Sequence, residues 1–335
     1  MKTMVVTGGA GFIGSNFVRR IAGRYPDYRV IVFDLLTYAG NLDNLAGVLD
    51  NERVRFVKGD IRDSAAVREV LRGANMVVNF AAESFVDRSI LDPDGFITTD
   101  VLGTFVLLQA SRELGVERFL QVSTDEVYGS VEEGSSVETD GILPNSPYSA
   151  SKAGGDLLAR SYCITYGLPV VITRGSNTYG PYQHPEKLIP LFISNAIDDK
   201  PLPVYGDGLQ VRDWLHVDDH CSAIDLVLHE GVPGEAYNVG GDSNRTNIEV
   251  TKLLLKSLNK PESLIKYVAD RPGHDRRYSL NCDKLKAIGW KPAKVFEEGL
   301  RDTVEWYLHN QNWWRKAKDS DSYREFDKAW YAGRK

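Results

Sequence analysis

Two pairs of side chains in the first half of the chain could do chemistry together. Asp125 and Glu126 are adjacent in STDEVYG, directly after the apolar run RFLQV at 118–122. Tyr148 and Lys152 stand four residues apart in NSPYSASK. Adjacent carboxyl groups repel each other, and the end of a buried strand is a costly place for both. Two carboxyls with separated pKa values, however, can divide acid and base work within one reaction. Neighbours in an extended strand point to opposite sides, so both can face one cleft only where the strand is ending. A spacing of four puts Tyr148 and Lys152 on one helix face. Asn145 or Ser146 can cap that helix, and Pro147 suits its first position. A phenol with a pKa near ~10 is too high for a base at neutral pH, and a nearby ammonium favours the phenolate. Thr124 could hydrogen-bond the same substrate oxygen. Each pair also has a plainer reading. The acids could be one solvated and one paired with arginine, and Tyr148 with Lys152 a helix start beside an exposed lysine.

A third motif gives the pairs a context. VVTGGAGFIG carries Gly8, Gly9, Gly11 and Gly14 between an apolar run (4–8) and a segment of helical spacing (12–25). Glycines there let the backbone turn tightly, and the helix start offers free N–H groups to a pyrophosphate. Asp34 ends the next apolar run, 20 residues after Gly14. An acid at that point can accept from the ribose hydroxyls and repels a 2′-phosphate, which predicts NAD rather than NADP. Gly59 and Asp60 follow a third apolar run and are candidates to flank the adenine.

The elements that must position these residues alternate. Apolar runs at 29–34, 53–60, 76–82 and 118–124 are separated by helical spacing at 64–73 and 96–114, the latter read as one long helix. This alternation predicts an α/β fold, a doubly wound parallel sheet covered on both faces. After the strand at 169–175 the pattern loosens, and a smaller α/β lobe interleaved with the first is expected. The aromatic tail VEWYLHNQNWW (304–314) reads as packing or an oligomer surface. The 335 residues carry a formal net charge of −6 and no long basic run, which argues against a nucleic-acid partner. Cys163, Cys221 and Cys282 form no metal or disulfide pattern and fit a reducing cytosol, so no metal is expected. No apolar stretch approaches the ~20 residues of a membrane helix, and the N-terminal glycines suit a turn better than a signal peptide.

Y-x-x-x-K with an upstream Ser/Thr and an N-terminal glycine turn resembles the extended short-chain dehydrogenase/reductase family over nearly the whole chain. The resemblance implies a Rossmann-type NAD domain at 1–175 plus roughly 213–240. It implies a nucleotide-sugar domain at 176–212 and 241–335, with Tyr148 and Lys152 as the redox pair. STDEVYG is similar to the sugar-nucleotide 4,6-dehydratases, whose chemistry uses Glu126 as base at C5 and Asp125 as acid at C6. The implied cofactor contacts are Gly8, Gly11, Phe12, Ile13 and Gly14 in the turn, and Asp34, Leu35 and Thr37 after the second strand. Further along they are Asp60, Ile61, Phe80, Ala81, Ala82, Ser84, Thr99 and Thr178, beside Tyr148 and Lys152. For the substrate the resemblance implies Ser84, Thr124, Asp125 and Glu126 at the sugar, and Asn177, Lys187 and Leu188 near the phosphates. Pro203, Val204 and Tyr205 would lie beside the base. Arg212, Asn247, Arg271 and His274 would complete the site. The implied substrate is dTDP-glucose, in rhamnose or other deoxysugar synthesis. The implied state is a cytoplasmic homodimer joined through helices near 97–114 and 148–166. Phe85 and Thr178 depart from the family, which usually carries His and Asn there. Glu83, Asp87 and Arg88 read as a possible surface ion network. The alternatives are a nucleotide-sugar 4-epimerase, which has no use for the acid pair, and a non-catalytic NAD-binding scaffold.

Overall fold

The structure, a computed structural model, describes residues 1–331. Its strands are β1 (Lys2–Thr7), β2 (Tyr28–Asp34), β3 (Val54–Lys58), β4 (Met76–Asn79), β5 (Arg118–Thr124) and β6 (Val170–Gly175). They continue as β7 (Asn177–Tyr179), β8 (Leu202–Tyr205), β9 (Val211–His216), β10 (Ala236–Val239), β11 (Asn244–Thr246) and β12 (Ile265–Val268). Seven of them form one sheet in the order β10-β6-β5-β4-β1-β2-β3, with every neighbouring pair parallel. The order reverses between β1 and β4. In open sheets of this kind a ligand crevice forms at such a reversal, outside the carboxyl ends of the strands.

Strand residues alternate between the two faces. Val6, Val30, Val32 and Val78 meet the helices Phe12–Arg24 and Val217–Glu230 on one side. Val5, Ile31, Val77 and Phe119 meet Ser64–Leu71, Thr104–Glu113 and Pro147–Tyr166 on the other. Beyond β6 the chain builds two small sheets, β11-β9-β7 and β12-β8, and returns once to the large sheet as β10. Their core takes Tyr307 and Trp314 of the aromatic tail as fully buried side chains.

Two expectations need correction. The run at 96–114 is not one regular helix. Pro93–Phe96 is α-helical, Ile97–Gly103 is π-helical, and Thr104–Glu113 is α-helical again. π segments recur at functional sites, and this one brings Thr99 to the cleft wall and buries Asp100. Asp87 and Arg88 are not a surface network either. Asp87 is buried, and Arg88 forms a two-pronged ion pair with Glu186 beneath the Tyr38 ring.

Candidate active site

The glycine turn is dictated by close approach. Gly8 has φ +65°, and a β-carbon there would sit 2.5 Å from the Ala81 nitrogen. One at Gly14 would sit 2.3 Å from the Gly8 carbonyl oxygen, so the helix could not start against the turn. Asp34 locks the same turn by accepting from the Ala10 N–H at 2.9 Å and the Leu36 N–H at 2.8 Å. Its carboxylate retains lone pairs for further donors. The Asp60 carboxylate is held by the Arg62 guanidinium at 2.6–3.0 Å. Gly8, Gly11, Phe12, Ile13 and Gly14 form one wall of a single cleft with Asp34, Leu35, Thr37, Asp60 and Ile61. Phe80, Ala81, Ala82, Ser84, Thr99 and Thr178 line the same cleft. A bare helix start next to a buried acid, at the reversal of the sheet, fits a dinucleotide such as NAD.

The acid pair sits where β5 ends. Thr124 closes the strand and caps a 3₁₀ turn at Asp125–Tyr128 by accepting from the Glu126 N–H at 3.3 Å. The change from strand to turn brings both acids to the cleft that Thr124, Tyr148 and Lys152 also line. Asp125 Oδ1 accepts from the Thr124 hydroxyl at 3.1 Å, whereas Oδ2 has no hydrogen-bond partner among the described residues. Neither acid forms an ion pair within 4.0 Å among the described residues, so the plainer reading of an arginine-paired acid is not met. Burial, then the Glu126 charge, pushes the Asp125 carboxyl well above the usual carboxylate range. Burial also leaves Glu126 raised, with Arg271, Arg212 and Lys187 opposing part of that rise. The two carboxyls are therefore driven apart, with Asp125 the more readily protonated.

Ser146 caps the Pro147–Tyr166 helix through a reciprocal pair with Ser149, with Pro147 in its first turn. Lys152 is buried, and its ammonium donates to the Val122 carbonyl at 2.8 Å. Burial lowers its pKa, against the opposing pull of Asp100 and Asp156. Tyr148 departs from expectation. Burial first, then Glu126, Asp100 and Asp125, pushes its phenol well above the usual value, and only the Thr124 hydroxyl is a counterweight among its main neighbours. The chain's own charges therefore oppose phenolate formation.

Of the expected substrate contacts, Ser84, Asn177 and Lys187 line the cleft. The Lys187 amine is bound by the Ser84 carbonyl and lies 4.7 Å from the Phe85 ring centroid. Burial pushes it down to about 8. Leu188, Pro203, Val204, Tyr205, Arg212, Asn247, Arg271 and His274 are not walls of this cleft. Leu188 and Val204 pack into the second core. Arg212 donates to the Asp275 carbonyl at 2.9 Å and lies 4.3 Å from the Tyr278 ring centroid. His274 pairs with Asp270 at 2.6 Å. Asn247 Oδ1 and Arg271 Nη1 are buried without partners among the described residues. Thr178 contacts His220 Nδ1 at 2.8 Å.

Sequence reasoning missed Asp100, Gln183, His184 and His220. Asp100 accepts from the Glu83 N–H at 2.8 Å and the Ser151 hydroxyl at 2.6 Å. A lone acid within an apolar helical run was the available signal for Asp100; the other three had none. Gln183, His184 and His220 line the cleft, and burial holds both imidazoles neutral.

The model of the GDP-mannose 4,6 dehydratase family matches residues 5–303. A dTDP-glucose 4,6-dehydratase of Xanthomonas campestris pv. campestris is 54% identical, covering 97% of this chain and 98% of its own length. The solved structure of DesIV, a dTDP-glucose 4,6-dehydratase from Streptomyces venezuelae with NAD bound, superposes with a TM-score of 0.93 at 55% identity. The match covers 94% of this chain and all of that one. A UDP-glucuronic acid 4-epimerase from Bacillus cereus, solved with UDP-glucuronic acid and NAD, shares the fold at TM-score 0.87 but only 26% identity, covering 92% of this chain and 99% of the epimerase. The acid pair at the end of β5 thus sits in a chain far nearer to the dehydratases than to that epimerase. The chain belongs to the sugar-nucleotide 4,6-dehydratase family that this model describes.

Proposed function

We propose that this protein converts dTDP-glucose to dTDP-4-keto-6-deoxyglucose and water, as an NAD-dependent hydro-lyase of deoxysugar synthesis. The observation that carries this reading is the convergence of Asp125, Glu126, Tyr148 and Lys152 on one cleft beside the glycine turn. When bound, NAD would supply the acceptor for the C4 hydride and the hydride that C6 later receives. Tyr148 takes the proton from the C4 hydroxyl as a phenolate, a form that the positive charge of NAD, when bound, would favour against the burial and carboxylates that oppose it; Thr124 is a hydrogen-bonding neighbour and Lys152 lies one helical turn on. The C4 ketone acidifies the C5 proton, which Glu126 removes. Asp125, held protonated by burial, gives its proton to the departing C6 hydroxyl, which leaves as water. Glu126 then returns its proton to C5. The proton collected at Tyr148 balances the one that Asp125 lost, and no net redox change remains.

A 4-epimerase needs the redox pair but no acid–base pair, and a scaffold needs neither. We assign the cofactor half to 1–175 plus roughly 213–240 and the nucleotide-sugar half to 176–212 and 241–335. We further assign a homodimer. Ile97 in the π segment, Phe105 in the helix that follows it, and Leu157 and Ile164 in Pro147–Tyr166 are 51%, 41%, 52% and 64% exposed, an apolar surface suited to a second copy. No described helix is long and apolar enough to cross a membrane, and we assign the protein to the cytoplasm.

The decisive experiment is incubation of the purified protein with dTDP-, UDP- and CDP-glucose, followed by mass analysis. Loss of one water from dTDP-glucose, with an alkali-induced ultraviolet absorbance, is expected. An isomer of unchanged mass would favour the epimerase instead.

A further inference from the structure

The last described helix, Asp321–Tyr331, lies beyond the residues that match the family model. Tyr323, Phe326 and Trp330 form its buried stripe. They cover segments that carry expected substrate contacts. The Phe326 ring centroid is 5.4 Å from that of Phe85, next to Ser84, and 4.6 Å from the Arg88 guanidinium. The Trp330 indole N–H donates to the Tyr205 hydroxyl at 2.6 Å. That hydroxyl donates in turn to Asp87 Oδ2 at 2.7 Å. Asp87 Oδ1 stands 3.8 Å from Arg271 Nε.

A phenol has one proton to give. The indole N–H occupies the oxygen as an acceptor, and of the two acceptors within reach, Asp87 Oδ2 at 2.7 Å and the Tyr331 hydroxyl at 3.4 Å, the nearer and charged carboxylate takes that proton. The carboxylate, fixed from one side, faces Arg271 with its other oxygen. Arg271 Nη1 is buried and has no partner among the described residues, so one strong anion donor is left over.

We propose that Trp330 is a positioning residue for the nucleotide end of the substrate. Acting through the Tyr205 hydroxyl and the Asp87 carboxylate, it holds the Arg271 guanidinium with a free N–H for a diphosphate. The inference rests on the nucleotide-sugar reading above and adds to it an element outside the matched family region.

The test uses the full chain with Trp330→Phe, Tyr205→Phe and the double variant. KM and kcat for dTDP-glucose, the affinity for dTDP alone and the bound NAD are measured. Removing one buried hydrogen bond predicts that Trp330→Phe raises KM and the dTDP dissociation constant by about tenfold, with kcat and NAD content within about twofold of wild type. In the Tyr205→Phe background the same change should add nothing. Phe326→Leu on the same helix, which removes no hydrogen bond, should lower the melting temperature yet leave KM near wild type. An unchanged KM in Trp330→Phe, an undiminished further loss in the double variant, or an equal rise in Phe326→Leu would each overturn the proposal. A wild-type protein that neither binds dTDP nor dehydrates dTDP-glucose would overturn the substrate reading and this one with it.

Discussion

The Thr124 hydroxyl donates to one oxygen of Asp125 at 3.1 Å, while the other oxygen of that carboxyl has no partner among the described residues. A buried carboxyl with an unused oxygen is a poor structural element and a ready proton donor, because burial favours its neutral form. Glu126, one residue on, is raised by burial too, but the charges of Arg271, Arg212 and Lys187 oppose that rise.

That asymmetry predicts two variants with one phenotype and separate causes. Asp125→Asn removes the acid and Glu126→Gln the base. Both should retain NAD and still form NADH in a single-turnover oxidation at C4. Both should form 4-keto-6-deoxy product at least roughly a hundredfold more slowly. Stopped-flow absorbance of the nicotinamide separates the two half-reactions. Product formation at wild-type rates by both variants would remove the acid–base assignment.

The glycine turn separates close approach from mere flexibility. A β-carbon at Gly14 would lie 2.3 Å from the Gly8 carbonyl oxygen, within the backbone itself. Gly14→Ala should therefore displace the helix start and lose bound NAD, read as the ratio of nicotinamide to protein absorbance. Gly23, in the same helix, has nothing within 4 Å of its would-be β-carbon. Gly23→Ala should keep NAD and stabilise the fold by about 0.5–1 kcal/mol. Retention of NAD by Gly14→Ala would show that the turn tolerates what its geometry forbids.

The legible and illegible parts of this site divide along a physical line. The glycine turn, Asp34 and the Tyr148–Lys152 helix were readable because each depends on local spacing and local backbone chemistry. The parallel sheet was readable because its buried strands run apolar without alternation. The π segment at Ile97–Gly103 was not, since its residues also satisfy an α-helical pattern. The pairing of Arg88 was equally hidden. It depends on Glu186 and Phe326, 98 and 238 positions away from Arg88. The direction of the Tyr148 pKa shift also failed to follow from the lysine one turn on, because burial first, and then three carboxyls from other segments, outweigh local spacing.

Beneath the acid turn lies a buried ion pair whose loss should be expensive. The Arg174 guanidinium grips Asp156 at 2.9 and 3.0 Å and donates to the Tyr128 hydroxyl at 2.8 Å. Tyr128, in the acid turn itself, donates onward to Asn238 at 2.8 Å. Asp156→Ala would leave the guanidinium buried without its counter-charge, at a cost of about 3–5 kcal/mol. Tyr128→Phe should cost only about 1–3 kcal/mol. Urea unfolding of both variants measures the difference. Equal costs would mean that the charge of Asp156 contributes nothing beyond a hydrogen bond.

Asp100 supplies the pH dependence. Burial raises its carboxyl to about 7, even though Lys152, the Ser151 hydroxyl and the Glu83 N–H all favour its charged form. Glu83 works in the opposite sense, and Tyr148 is the other titratable neighbour. The unfolded chain releases this proton near its ordinary value of 3.8, whereas the folded protein keeps it to about 7. Between those values the folded state binds more protons, so rising pH removes stability. The contribution is fully present below the unfolded value and lost as pH passes the folded one. In Asp100→Asn the amide oxygen can still accept from the Glu83 N–H, and the Ser151 hydroxyl can turn to accept from the amide, but the titration is gone. The stability of the variant relative to wild type should therefore climb between about pH 4 and pH 7, by up to roughly 4 kcal/mol if the full shift is realised. Urea midpoints of both proteins across that range are the measurement. A wild type that gains on the variant as the pH rises would mean that Asp100 is ionised throughout, held charged by Lys152.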